Sequence, residues 1–211
     1  MCPWAYQTSK WIREVRAERG FSIDWRFFSL EEINREDGKK HPWEREWSYG
    51  WGMMRVAALL RRTSMDDCDR FYEAAGRALH EDGRKPHRPE VAEQILSDLG
   101  LDPGLVNVAI HDSTTHDEVK ADHDAVVSSG GFGVPTIVFP DGAHVYGPVV
   151  APAPTGDDAL ALWDLTVAYS KVPFLYEIKT PKSDTDMAHI AKVFEPYLNA
   201  RDWESREKPA R

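Results

Sequence analysis

Residues 130–148 read GGFGVPTIVFPDGAHVYGP, and this stretch decides how the second half of the chain folds. Two apolar runs flank a Pro-Asp-Gly turn at residues 140–142, and a Gly-Pro pair ends the second run. Asp-Gly between two such runs is a strong signal for a β-hairpin, because both residues tolerate the backbone of a tight turn. The sequence therefore predicts an antiparallel hairpin with strands at residues 135–139 and 143–146.

The beginning of the chain predicts a helix followed directly by a strand. In residues 2–18 the apolar side chains recur at helical spacing, and Gly20 stands where a C-terminal cap belongs. Residues 21–30 alternate between apolar and polar and end in an apolar run, which is typical of a strand. After the hairpin, residues 157–170 fit one more helix.

Between these two strand signals the chain carries only helical patterns. Glycine and proline divide them, and three segments fit helices at residues 90–99, 104–111 and 115–128. Trp43, Trp47 and Trp51 also recur every fourth residue, continuing into Arg55, which indicates one face of a helix.

We therefore predict a single core, made of residues 1–41 and 129–178, that is interrupted by a helical insertion at residues 42–128. The remaining residues 179–211 are highly charged and hold one short helical pattern near 186–198. We expect this tail to be peripheral or partly mobile.

The bulk composition excludes several function classes. The chain has 211 residues, a formal net charge of -9, and no apolar stretch of the length that spans a membrane. A negative chain without a basic patch predicts no nucleic-acid partner and no membrane association. The N-terminus shows neither the basic segment nor the apolar run of a secretory signal, so we expect a cytoplasmic protein.

Four motifs together resemble those of a known family. They are Cys2-Pro3-Trp4, Phe28-Ser29-Leu30, Trp51-Gly52 with Arg55, and Gly133-Val134-Pro135-Thr136. In this order the sequence resembles the DsbA-like thioredoxin-fold oxidoreductases, particularly the cytoplasmic branch that includes mycothiol-dependent nitroreductases and 2-hydroxychromene-2-carboxylate isomerases.

The resemblance implies an α/β protein with a thioredoxin-like fold and a large all-helical insertion. Family members place a central strand just before the Cys-Pro-Trp motif, whereas this sequence begins at the motif itself. We therefore expect the first strand to be missing from this chain, as in a truncated or mis-started sequence.

Cys2 is the expected nucleophile. A thiol at the N-terminus of a helix faces unpaired backbone N–H groups and the positive end of the helix dipole, which favour the thiolate. Pro3 suits the first helical turn, where its missing N–H is not needed. The alternative is a cysteine that keeps the family position without its activity.

The resemblance also implies the surroundings of this sulfur. Pro135 would be cis and face the nucleophile, while Val134 and Thr136 would present backbone to an extended or thiol-bearing substrate, and Trp4 would line an apolar wall. Trp51 and Arg55, together with Trp47, could form an aromatic and cationic wall over the site, against which the carboxylate of a thiol cofactor would bind. For the tryptophans, packing in the core is the alternative interpretation.

One departure from the family pattern changes the expected mechanism. Dithiol members read Cys-x-x-Cys, but this chain has Ala5 at the second position, so the site cannot close an internal disulfide. A mixed disulfide on Cys2 would have to be resolved by an external thiol such as mycothiol or glutathione. The other cysteine, Cys68, lies in a helical pattern and fits a buried apolar residue better than a resolving thiol.

The predicted function is a monothiol, thiol-dependent oxidoreductase that acts on a small electrophile or thiol. Two alternatives stay open: a thiol-dependent isomerase or transferase of the hydroxychromene-carboxylate type, and a degenerate non-catalytic thioredoxin-fold protein. The histidines lack ligand spacing, so we expect no metal. A homodimer is left open.

Overall fold

The computed structural model describes residues 2–45, 48 and 50–201. Its helices are α1 (Pro3–Arg19), α2 (Leu30–Ile33), α3 (Trp51–Arg61), α4 (Met65–His80), α5 (Pro89–Asp98), α6 (Leu105–His111), α7 (Ser113–Ser128), α8 (Gly156–Ser170) and α9 (Asp184–Ala200). The strands are β1 (Thr136–Val138) and β2 (His144–Tyr146), and a 3₁₀ turn spans Pro42–Glu44.

The predicted first helix is confirmed as α1. Pro3 occupies its first turn, and Gly20 closes it in the left-handed conformation with φ 73°, donating its N–H to the Arg16 carbonyl. Only glycine adopts this conformation without crowding a side chain against the backbone. The buried side of α1 packs on α8, where the Trp11 indole donates to the Ala159 carbonyl at 2.9 Å.

The predicted hairpin is also confirmed. β1 and β2 pair antiparallel, with Thr136 opposite Tyr146 and Val138 opposite His144. Val145 points into the protein, whereas both of its strand neighbours are exposed. This alternation gives the hairpin one packed face and one open face.

The prediction of a strand at residues 21–30 is wrong. The segment alternates between inward and outward side chains as its pattern indicates, but it forms no ladder in the described part of the chain, and Leu30 begins α2. The Ser29 hydroxyl accepts the Glu32 N–H and caps this short helix.

The backbone of this extended segment bonds instead to side chains of the helical block. The Phe27 N–H donates to Asp122 Oδ2 at 3.2 Å, and the Ser29 N–H donates to His123 Nδ1 at 3.3 Å. Both acceptors lie on α7. These bonds replace those of a β-ladder, because a buried backbone N–H that lacks a hydrogen-bond acceptor destabilises the fold.

Helices α3 to α7 pack around one core, and the predicted bounds of the helical insertion stay a prediction. The buried members of this core come from α3 to α7, with Phe27 added from the extended segment. The three helices expected from the glycine and proline spacing are present as α5, α6 and α7.

The tryptophan spacing does not mark one helix. Trp43 lies in the 3₁₀ turn that Pro42 opens, Trp51 is the first residue of α3, and Trp47 lies outside the described residues. The rings of Trp43 and Trp51 nevertheless meet, with centroids 4.8 Å apart. Trp43 and Trp51 therefore contact each other although they belong to a 3₁₀ turn and to a separate helix.

The charged tail holds a longer and better packed helix than expected. α9 buries Phe194, Tyr197 and Ala200, and it lies against α4. His80 of α4 stacks between Tyr6 and Tyr197, and burial lowers its pKa to about 3. The helix expected near residues 186–198 is therefore present as α9, which is exposed along most of its length and buries three residues.

No helix in the described ranges combines the length and the apolar character that crossing a membrane requires.

Candidate functional site

Cys2 is the residue immediately before the first turn of α1. Its backbone is extended (φ -93°, ψ 122°), and its carbonyl accepts the Tyr6 N–H at 3.0 Å. The side chain is half-buried and makes no capping bond to the helix. The sulfur therefore lies at the positive end of a helix of seventeen residues and makes no hydrogen bond to the N–H groups of that helix.

The sulfur faces the loop that precedes the hairpin. Cys2 Sγ lies 3.9 Å from the Val134 carbonyl oxygen, across 132 residues of sequence. The Val134–Pro135 peptide bond is cis, and Pro135 is buried. Val134 and Pro135 are thus brought to Cys2.

Two hydrogen bonds hold this loop in place. Thr136 Oγ1 donates to the Gly133 carbonyl at 2.8 Å, which closes the loop on itself. The Gly147 N–H donates to the Pro135 carbonyl at 2.9 Å, which ties the loop to the end of β2. Thr136 acts on the loop here rather than on the sulfur.

Trp4 lies in the first turn of α1, where its ring meets a residue from the tail. The Phe194 ring stands edge-on to it, with centroids 4.8 Å apart and planes at 89°. One turn later Thr8 Oγ1 lies 3.1 Å from the Trp4 carbonyl and 2.7 Å from the Pro148 carbonyl, which joins α1 to the chain after β2. Sequence reasoning missed Phe194, and its place in a charged tail gave no signal for it.

Two aromatic residues near the loop were also missed. Phe132 and Tyr146 have ring centroids 4.8 Å apart, and Tyr146 lies opposite Thr136 in the hairpin. The pKa of Tyr146 is raised, first by desolvation and then by the charge of Cys2. The outward position of Tyr146 in β2 was readable from the strand alternation, whereas Phe132 stands in a glycine-rich loop without periodicity.

Trp51 and Arg55 make their contacts within the helical block. Arg55 donates to Thr115 Oγ1 and to the Asp112 carbonyl, both at 2.9 Å, and burial lowers its pKa. Trp51 is buried and lies 5.4 Å from the His116 ring, centroid to centroid. Their suggested role in substrate binding stays a prediction.

The second cysteine, Cys68, is fully buried in α4 among apolar residues. Burial raises the pKa of its thiol to about 12. The two cysteines are both free thiols, so no disulfide joins them.

Among the described residues, no three His, Cys, Asp or Glu side chains are grouped closely enough to hold a metal ion. The groups that the fold gathers near Cys2 are a helix terminus, the Val134 carbonyl and the Trp4 ring.

The chain is similar in fold to a solved structure. A crystal structure of a candidate protein disulfide isomerase from Nitrosomonas europaea superposes with a TM-score of 0.51 at 14% identity, covering 80% of this chain and 93% of the other. This likeness confirms the predicted fold class, a DsbA-like thioredoxin fold with a helical insertion.

Sequence similarity is far closer to a mycobacterial protein. The chain is 54% identical over 205 residues to Rv2286c of Mycobacterium tuberculosis, covering 97% of this chain and 89% of that protein. Residues 1–180 match the family described as Rv2466c-like, mycothiol-dependent nitroreductase Rv2466c. The resemblance found in the sequence motifs is confirmed, together with a thiol-dependent redox function in general terms: the chain belongs to the Rv2466c-like family of mycothiol-dependent nitroreductases.

Proposed function

We propose that this protein is a monothiol oxidoreductase in which Cys2 forms a mixed disulfide that a low-molecular-weight thiol resolves. The observation that carries the proposal is the position of Cys2 Sγ, half-buried before α1 and 3.9 Å from the Val134 carbonyl. Ala5 stands where dithiol relatives carry the resolving cysteine, and Cys68 is buried in α4, so the second thiol has to come from solution.

The proposed reaction consists of two exchange steps. The Cys2 thiolate attacks one sulfur of a substrate disulfide, a Cys2–S bond forms, the substrate S–S bond breaks, and the second sulfur leaves as a thiolate that takes up a proton from water. A free thiol, as its thiolate, then attacks the mixed disulfide and releases the Cys2 thiolate. One disulfide is broken and one is formed, so no further oxidant or reductant is needed.

Several features support this role for the groups around the sulfur. Cys2 stands at the N-terminus of α1, which is the positive end of the helix dipole. The Val134 carbonyl and the hydrogen-bonded loop present backbone beside the sulfur, and Trp4 offers an apolar surface in the first turn of α1. The family description names mycothiol, which makes it the first choice of resolving thiol, with glutathione as the second.

The test uses the two cysteines as each other's control. The wild type, Cys2→Ser and Cys68→Ala are each incubated with mycothiol disulfide, first alone and then with glutathione added as the resolving thiol, and the intact mass and the rate of thiol release are measured at both stages. We expect the wild type and Cys68→Ala to carry one mycothiol adduct before glutathione is added and to turn over after it, and Cys2→Ser to do neither. Turnover that survives in Cys2→Ser would contradict the proposal.

A second candidate is the thiol-dependent isomerase, in which a bound thiol does the chemistry and no protein disulfide forms. Ala5 favours it, because such a reaction needs no resolving cysteine. The same mass measurement separates the two functions: an enzyme that turns over with a thiol cofactor but never shows an adduct on Cys2 is the isomerase.

A further inference from the structure

Two exposed aromatic rings stand beside the loop that faces Cys2. Phe132 is 67% exposed and Tyr146 is 48% exposed, yet their rings lie against each other with centroids 4.8 Å apart and planes tilted by 38°. Exposed aromatic side chains that group together, rather than scatter singly, are typical of ligand-binding surfaces.

Both rings stand on residues that are close to the loop facing the sulfur. Phe132 precedes by two residues the Val134 carbonyl that lies 3.9 Å from Cys2 Sγ. Tyr146 is the last residue of β2, paired with Thr136, and the next residue, Gly147, donates its N–H to the Pro135 carbonyl. Both rings therefore belong to the same hydrogen-bonded loop and hairpin end that face the thiol.

The residue between Phe132 and Val134 allows the Tyr146 ring to lie close to the loop. Gly133 is buried, and a Cβ atom at this position would stand 3.2 Å from Tyr146 Cε2. That distance is tighter than ordinary van der Waals contact, so a side chain here would push the ring away. Glycine thus lets the ring close over the backbone next to the carbonyl that meets the sulfur.

We propose that Phe132 and Tyr146 form an aromatic ledge that binds a planar aromatic ring of the acceptor while Cys2 attacks the acceptor's electrophilic atom. The inference rests on the proposed function and adds to it a preference for aromatic over aliphatic acceptors. A planar ring stacks on the open faces of the ledge in the offset or edge-on arrangements that aromatic pairs prefer, whereas an aliphatic chain gains only burial.

Two uncharged disulfides provide the test: dithiodipyridine, which is aromatic, and hydroxyethyl disulfide, which is aliphatic. With either probe the Cys2 thiolate forms a mixed disulfide, the probe's S–S bond breaks, and its second half leaves as a thiolate that is protonated or, for the pyridine, becomes the thione. The second-order rate of thiol release is measured for each probe with the wild type, Phe132→Ala and Tyr146→Ala, after subtraction of the Cys2→Ser background.

Two further variants serve as controls. Phe132→Tyr keeps a ring at position 132, and Phe174→Ala removes an aromatic side chain that is 86% exposed and does not belong to the pair. We expect Phe132→Ala and Tyr146→Ala each to lower the ratio of the dithiodipyridine rate to the hydroxyethyl disulfide rate by about fivefold, as the loss of one stacking partner implies. Phe132→Tyr should restore most of that ratio, and Phe174→Ala should retain the wild-type rates with both probes.

The outcomes separate this inference from the proposed function. If the wild type reacts with both probes through Cys2 but the alanine variants keep the wild-type ratio between them, the ledge is disproved and the monothiol function stands. If Cys2→Ser reacts as fast as the wild type, the proposed function itself fails. Equal loss with both probes would show a disturbed loop rather than ring recognition and would also overturn the ledge.

Discussion

The two cysteines of this chain occupy opposite kinds of environment. Cys2 is half-buried before the first turn of α1 and faces a backbone carbonyl, whereas Cys68 is fully buried within α4 in the core of the helical block. Burial raises the pKa of Cys68 to about 12, so this thiol is neutral throughout the physiological range. The two cysteines therefore differ sharply in how accessible their thiols are.

The same contrast holds for the regions around them. The surroundings of Cys68 are apolar and closely packed, as a structural cysteine requires. The surroundings of Cys2 combine a helix terminus, the hydrogen-bonded loop at Val134 and exposed aromatic rings. A cysteine that reacts with other molecules must be accessible to them, and of the two only Cys2 is partly exposed.

The largest expected difference between the two cysteines is in the rate at which their thiols are alkylated. At about pH 7.5 a thiol with a pKa of about 12 is ionised in roughly one molecule in 30,000, and Cys68 is also shielded from reagents. We expect iodoacetamide to modify Cys2 at least about 1000-fold faster than Cys68 in the folded protein. Peptide mass spectrometry at timed intervals measures both rates in one sample.

Denaturant supplies the control for this comparison. In concentrated urea both residues are exposed in an unfolded chain, and their rates should converge to within about threefold. Comparable rates in the folded protein would show that Cys68 is accessible, and the contrast between the two regions would be lost.

Part of this contrast could be predicted from the sequence. The helical setting of Cys68 was predicted from the local periodicity of the sequence. The position of the Val134 loop opposite Cys2 was predicted from the order of motifs that the family shares. The ladder expected at residues 21–30 did not form, since alternation shows which side chains point inward but not which groups will accept the backbone N–H bonds.

The aromatic surroundings of the site were harder to predict. Phe194 reaches Trp4 from almost two hundred residues away, and Phe132 lies in a loop where no period exists. Contacts of this kind depend on tertiary packing, which overrides local signals. Arg55, by contrast, was noticed in the sequence, yet its contacts with Thr115 and Asp112 lie within the helical block.

The second-largest expected effect is on the free energy of unfolding, and it concerns the ion pairs that join α4, which carries Cys68, to α1, which follows Cys2. Asp69 follows Cys68 on α4 and binds Arg13 and Arg16 of α1, each at 2.6 Å. Asp69 and Arg13 have side chains that are almost fully buried, so Asp69→Asn leaves an unpaired buried charge. We expect a loss of about 3 kcal/mol in the free energy of unfolding, measured by urea denaturation.

This variant also sharpens the comparison of the cysteines. If Cys68 is reached only by unfolding, its alkylation should accelerate about 100-fold in Asp69→Asn, in proportion to the lost stability, while Cys2 keeps its rate. Asp164→Asn is the matched control, because the Arg19–Asp164 pair is exposed and should change stability by less than about 1 kcal/mol. Equal losses in the two variants would contradict a buried link between α1 and α4.

The smallest effect is a pH dependence at the junction between the extended segment and the helical block. His123 Nδ1 accepts the Ser29 N–H at 3.3 Å, which requires an unprotonated nitrogen, and the ring packs against Phe28 with centroids 4.7 Å apart. Burial lowers the pKa of His123, opposed by Asp124 and Glu32. Since the folded pKa lies below the unfolded value, the contribution is complete above about pH 6.5 and is lost as the pH falls below it.

His123→Asn tests this step, because the amide oxygen can accept the same N–H without titrating. Urea denaturation at about pH 7.5 and about pH 5.5 should show the wild type losing roughly 1 kcal/mol more than the variant, the worth of one hydrogen bond. The other titrating groups are the same in both proteins, so they cancel in the difference. An equal pH dependence in wild type and variant would mean that the Ser29 bond does not hold the extended segment, and that the segment is retained by Asp122 and apolar packing alone.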